Sequence, residues 1–135
     1  MDLTNSMELS ARGMNAQSMR LRVIAENLAN SSTTGSTPGS DPYRRKTIEF
    51  QNTMDRAIGG DAVSVRRISP DKSSFPTHYD PTNPAADSTG YVKTPNVNSF
   101  VEVMDMKEAQ RSYSANLNVM DTTRSIMTRT IDLLK

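Results

Sequence analysis

The sequence predicts a mainly α protein, with long N- and C-terminal helices paired as a coiled coil and an extended, β-hairpin-containing middle segment. Three observations carry that expectation. All seven prolines fall between Pro38 and Pro95, and five of the six glycines between Gly35 and Gly90. Proline costs ~3 kcal/mol inside a helix, so its absence from both flanks leaves them free to be helical. Apolar residues in both flanks recur every seven positions. Finally, Ser99-Phe100-Val101-Glu102 has the Ser-x-x-Glu form of a capping box.

In the first flank Met7, Met14, Leu21 and Leu28 are seven apart, with Ala11, Ser18 and Ala25 four residues after the first three. The alternating four-three spacing is that of a helix seam, and its small residues favour close pairing. A helix from about Leu3 to Ala29 is ~40 Å long. Asn30 is suited to end it, because Asn tolerates left-handed backbone just past a last turn. The run SSTTGSTPGSDP then prevents continuation.

The second flank places Met106, Tyr113, Met120, Met127 and Leu134 in one column and Val103, Leu117 and Ile131 in its companion, interrupted by Gln110 and Arg124. This helix is expected to start near Ser99 and to end close to Leu134, about 50 Å away. Strict seven-residue repeats imply a left-handed supercoil. Residues 1–30 and 97–135 are thus expected to form one coiled-coil domain, and residues 31–96 the extended middle.

Further apolar residues lie off the seam. Leu9, Ala16 and Val23 sit about 200° round the first helix, and Val119, Ile126 and Leu133 form a second stripe on the other. A two-helix hairpin cannot cover both faces of either helix, so Leu9, Val23, Val119, Ile126 and Leu133 are candidates for contact with neighbouring subunits. The middle segment offers few apolar residues to cover them. Within it, Tyr43–Phe50 and Val63–Val65 have strand-like content and suggest a small hairpin, and Tyr91-Val92 a last short strand.

Composition excludes more than it selects. The apolar content of 35% is low for a globular domain, against roughly 45–50% in ordinary ones. Sixteen basic and fifteen acidic residues nearly cancel, which removes any general drive toward nucleic acid or membrane. The clusters Arg44-Arg45-Lys46 and Arg66-Arg67 read as solvated charge. With no Cys there are no disulfides, redox motifs or thiolate metal sites. The longest apolar run near the start, Val23-Ile24-Ala25, is too short for a signal-peptide core, so an exported chain is expected to use an uncleaved signal.

The sole histidine, His78, has Thr77 and Asp80 nearby, but there is no nucleophile elbow, calcium loop or zinc helix to support chemistry. No catalytic, cofactor-binding or metal-ligating residue is expected, and no small-molecule substrate. The methionines at helical spacing read as adaptable seam filling.

Four blocks carry a resemblance: Asn27-Leu28-Ala29-Asn30 with its Ser/Thr run, Pro42-Tyr43-Arg44, the stretch NPAADSTGYVKTPNV from Asn83 to Val97, and Arg111-Ser112-Tyr113-Ser114-Ala115-Asn116. In order and spacing they resemble the bacterial flagellar basal-body rod proteins of the rod and hook axial family. The Asn-Leu-Ala-Asn motif is shared across that family, whereas the stretch from Pro84 to Val97 is the more specific part. The likeness spans essentially the whole chain, departing only in the Ser/Thr richness after Asn30 and in Arg124.

The resemblance implies a structural subunit of the proximal rod, a drive shaft that transmits torque and surrounds an axial export channel. By position, Asn27, Leu28, Ala29, Asn30, Tyr113, Ala115 and Asn116 match its assembly motifs. Implied partners are other proximal and distal rod subunits, further copies of the chain, the basal-body complex protein FliE and the flagellar type III export apparatus. The implied location is the periplasmic rod, reached without a cleaved signal peptide. From the residues alone, a soluble helical adaptor or export-chaperone-like binding module is the alternative.

Overall fold

The computed structural model describes residues 3–55 and 58–133. Helix α1 spans Leu3–Ala29 and helix α2 Ser99–Asp132. Between them lie β1 (Lys46–Asp55), β2 (Gly60–Pro70), β3 (Thr77–Tyr79) and β4 (Tyr91–Lys93). β1 pairs with β2, and β3 with β4, in separate two-stranded sheets. No helix is long and apolar enough to cross a membrane, among the described residues.

The chain divides into two compact units, the first made of Met1–Arg22, Ile48–Arg67 and Lys107–Lys135. In it the two helices run antiparallel: Gly13 faces Asn116, and about two turns further along α1, Arg20 reaches back to Glu108. A Cβ added to Gly13 would lie 2.7 Å from the Asn116 side-chain nitrogen, so the lack of a side chain at Gly13 is what admits Asn116. The hairpin is stitched by Thr53–Ser64 and Arg67–Glu49 contacts across its strands. It also lies on α1, where Asn5 donates to the Ile58 carbonyl and Arg12 pairs with Asp55. Ala16, Ile58, Ala62 and Ala109 form the small buried core of this unit.

The second unit comprises Val23–Thr47 and Ile68–Met106. Its core holds Val23, Ile24, Ala85 and Val92, together with the polar side chains of Asn27 and Glu102. β3 and β4 pair antiparallel, with Thr77 opposite Lys93 and Tyr79 opposite Tyr91, whose rings meet edge to face at 5.3 Å. Strand β3 is a departure from the expected extended chain. It forms because Asp80, Asn83 and Asp87 each accept hydrogen bonds from backbone two residues on, folding the Pro-rich stretch into successive tight turns. Gly90 closes the last turn at φ +84°, and a Cβ there would stand 2.9 Å from the Tyr79 ring.

Both helix ends differ from expectation in mechanism. Among the described residues no non-glycine has positive φ, so Asn30 does not act through left-handed backbone. Instead its Nδ2 donates to the Glu26 carbonyl at 2.9 Å, and the Ser31 hydroxyl donates to the Leu28 carbonyl at 2.9 Å, satisfying groups the helix leaves open. At α2 the cap is Asn98, whose Oδ1 accepts from the backbone of Phe100 and Val101. Ser99 is then the first helical residue, and Glu102 is freed for a different role.

The seam lies one position away from the expected one on part of each helix. On α2, Met106, Tyr113, Met120 and Met127 are half-buried, but their partners every seventh residue are Glu102, Ala109, Asn116 and Thr123. Val103, Leu117 and Ile131, the expected companions, are exposed. On α1, Met7, Met14, Leu21 and Leu28 are half-buried, while Ala11, Ser18 and Ala25 face outward. On α2 the physical reason is size: close helix approach selects small or hydrogen-bonding residues such as Ala109 and Asn116 over bulky apolar ones. Leu134 lies outside the described residues.

Candidate functional site

The family-motif asparagine, Asn27, is 1% exposed and its amide is fully used within the chain. Its Oδ1 accepts from the Tyr43 hydroxyl at 2.9 Å and from the Lys46 backbone N–H at 2.8 Å. Its Nδ2 donates to the Lys46 carbonyl at 2.8 Å and to Glu102 Oε2 at 3.1 Å. Two donor hydrogens and two acceptor lone pairs make four bonds, the most an Asn amide can form.

Glu102, also 1% exposed, accepts at its other oxygen from Arg45 Nε at 2.6 Å. Arg45 lies further within 3.6 Å of the Asp71 carboxylate and 3.8 Å of that of Asp105. Burial works against the Arg45 charge, but the bonds to Glu102 and Asp71 outweigh it and raise the guanidinium above its ordinary pKa. Burial and, less strongly, the charge of Glu26 raise the Tyr43 phenol, which therefore stays protonated to donate to Asn27. Lys46 pairs with Glu26, and that bond raises its pKa in turn.

The flanking residues extend the network. Arg45 N–H donates to Asn96 Oδ1, whose amide nitrogen donates to the Ser73 hydroxyl. Arg44 donates to the carbonyls of Asp71 and Ser73 and stacks 4.0 Å over the Phe75 ring. Thus, of Arg44-Arg45-Lys46, expected as solvated charge, Arg45 and Lys46 tie the segment after α1 to the helix pair and Arg44 ties it to Asp71–Phe75. Sequence spacing gave no warning of this, since the partners lie up to 57 residues away.

The remaining motif residues are dispersed. Leu28 and Asn30 are half-buried and Ala29 exposed at the end of α1. Tyr113 and Asn116 face the helix seam, Asn116 against Gly13, and Ala115 faces outward. Of the five candidate subunit-contact residues, Val23 is 5% exposed, so it has no face to offer a neighbour. Leu9, Val119, Ile126 and Leu133 are exposed, Leu133 at 87%. Phe100, Val101 and Met104 add a further exposed apolar patch near the start of α2, with Phe100 at 74%.

His78 is exposed on β3, with Asp80 bonding to Thr82. Among the described residues no group of His, Cys, Asp or Glu is arranged to hold a metal.

Comparison with known proteins fits this arrangement of buried clasp and open helix faces. Residues 7–36 match the family described as "Flagella basal body rod protein", and residues 88–133 that described as "Flagellar basal body rod FlgEFG protein C-terminal". The chain is 49% identical to a flagellar basal-body rod protein FlgC of Agrobacterium fabrum, over 98% of this chain and 96% of that one. It is 42% identical to the FlgC protein of Salmonella typhimurium, over 98% of both, and 34% identical to that of Bacillus subtilis, over 97% of both. Similarity of this extent, running from the N-terminal helix through the clasp to the C-terminal helix, makes the chain a member of the flagellar basal-body rod protein FlgC family, with a structural and non-catalytic role in the rod.

Proposed function

We propose that the chain is a building block of the proximal rod, assembling with itself and with other proximal and distal rod subunits into the shaft that transmits torque and encloses the export channel. The observation that carries this reading is the exposed apolar column of α2, Val119, Ile126 and Leu133, on a chain related to rod proteins along nearly its full length. An apolar stripe left open on a long helix is an unfinished interface. Residues 1–30 and 97–135 act together as the coiled-coil assembly module, with 31–96 as its appended segment. FliE is the further axial partner, and the flagellar type III apparatus delivers the chain to the periplasm on an uncleaved signal.

Imaging basal bodies from a strain lacking the gene tests the reading. Rotor rings without a rod above them are expected. Complete rods in that strain would refute it.

A further inference from the structure

The polar cluster at the end of α1 joins three chain segments in a way no two of them reproduce. Of the four bonds made by Asn27, three go to the arm Tyr43–Lys46 and one to α2. The two oxygens of Glu102 are divided likewise, one to α1 and one to the arm. Removing the arm therefore strands polar groups on both helices, and separating the helices strands groups the arm cannot reach. Buried groups left in that state carry the full cost of desolvation.

The apolar column of α2 does not by itself define a register. Met106, Tyr113, Met120 and Met127 repeat every seven residues, so a seven-residue slip of one helix along the other preserves most apolar contact. Glu102 breaks this degeneracy, because the next position in its own column is Ala109. Slipped by a heptad, the Asn27 amide would face an alanine and Glu102 would lose its partner.

We propose that Asn27, Glu102 and Arg45 form a three-way coincidence latch. The α1–α2 register in this unit locks only when the arm is docked, and the arm docks only on helices in the correct register. Asn27 is then a register-reading residue inside the chain rather than a contact to a neighbouring subunit. This goes beyond the rod assignment and does not depend on it.

A double-mutant cycle in the full chain tests the latch, read by amide hydrogen exchange in Tyr43–Lys46 and in Phe100–Met106. Glu102→Gln sets a donor against a donor at Asn27 or at Arg45, whichever way the amide turns. Asn27→Asp sets carboxylate against carboxylate. Each single change is expected to lower protection in both segments by the same factor, tenfold or more. Asn27→Asp combined with Glu102→Gln restores a carboxylate–amide pair between the helices and is expected to recover part of the loss, because the Lys46 carbonyl stays without its donor.

Loss confined to the arm, with Phe100–Met106 protected as in the native chain, would overturn the proposal. So would a double variant no better than the product of the single losses. If Asn27→Asp does not fold, Arg45→Lys decides the same question, since it keeps the charge but not the Nε bond. Joint loss in the two segments is expected there, and loss in one alone counts against the latch.

Discussion

The side-chain nitrogen of Asn27 lies 3.1 Å from Oε2 of Glu102, and neither residue is more than 1% exposed. A buried carboxylate bonded to an amide on one helix and a guanidinium on the arm is an unusual centre for a helix pair. It makes the two asparagines of the Asn-Leu-Ala-Asn motif unequal.

Asn27→Ala is expected to destabilise the fold by about 3 kcal/mol or more, because it leaves Glu102, Tyr43 and both backbone groups of Lys46 without their partner. Asn30→Ala removes a capping bond to the Glu26 carbonyl and is expected to cost about 1 kcal/mol. Denaturant unfolding of both variants checks the contrast, and equal losses would show that Asn27 has no special position.

Gly13 and Asn116 are expected to behave as one unit. Alanine at position 13 gains helix propensity of about 1 kcal/mol but places its Cβ against the Asn116 amide. Gly13→Ala alone should therefore yield little, whereas Gly13→Ala on an Asn116→Ala background should yield close to the full propensity gain. Additive effects in thermal unfolding would mean that the two side chains do not compete.

Gly90 is constrained twice, by φ +84° and by the Tyr79 ring 2.9 Å from a built Cβ. Gly90→Ala is expected to cost at least about 1–2 kcal/mol from the backbone alone. Adding Tyr79→Ala relieves the contact but not the backbone, so only partial recovery is expected in the same measurement.

Acid should loosen the turn region. A side-chain bond from Thr89 lowers Asp87, one from Thr82 lowers Asp80, and a backbone bond from Ser73 lowers Asp71, each below the usual carboxylate range. Folded-state values below unfolded ones mean that the stabilisation is fully present above the unfolded value, about 3.9. It is lost as pH falls through the folded values. Urea midpoints should hold from pH 7 to about pH 5 and drop below about pH 4. Asp87→Asn should flatten that drop, and an unchanged profile would contradict the assignment.

Ile126→Asp changes an exposed residue of α2 and is expected to leave folding of the isolated chain within about 0.5 kcal/mol of native. Rod completion and swimming should nevertheless fail. Normal motility with this variant would remove the α2 stripe from the assembly interface.

The helices and the hairpin were legible because proline exclusion and strand-like runs are local signals. The phase of the seam was legible only in part. Met106, Tyr113, Met120 and Met127 carry a hydrophobic signal, whereas Glu102, Asn116 and Thr123 are polar and carry none. The clasp is hidden in the same way, since Arg44, Arg45 and Lys46 look like any solvated cluster until the fold brings Glu102 and Glu26 to them. Strand β3 was missed because Pro76 and Pro81 bracket it, and its pairing with Tyr91–Lys93 is not a local property. Asn98 is hidden as a cap by Ser99 beside it, which completes the Ser-x-x-Glu pattern.

Between the helices the chain places glycine, asparagine, glutamate and threonine, while Phe100, Met104, Val119, Ile126 and Leu133 are turned to the outside. The apolar cores of the two units are small, and many large apolar side chains lie outside them, where burial would otherwise supply stability. On the proposed assembly, the free energy these side chains can release is realised on contact with a neighbouring subunit. Thermal stability is then expected to rise with concentration and with each neighbour that covers these side chains.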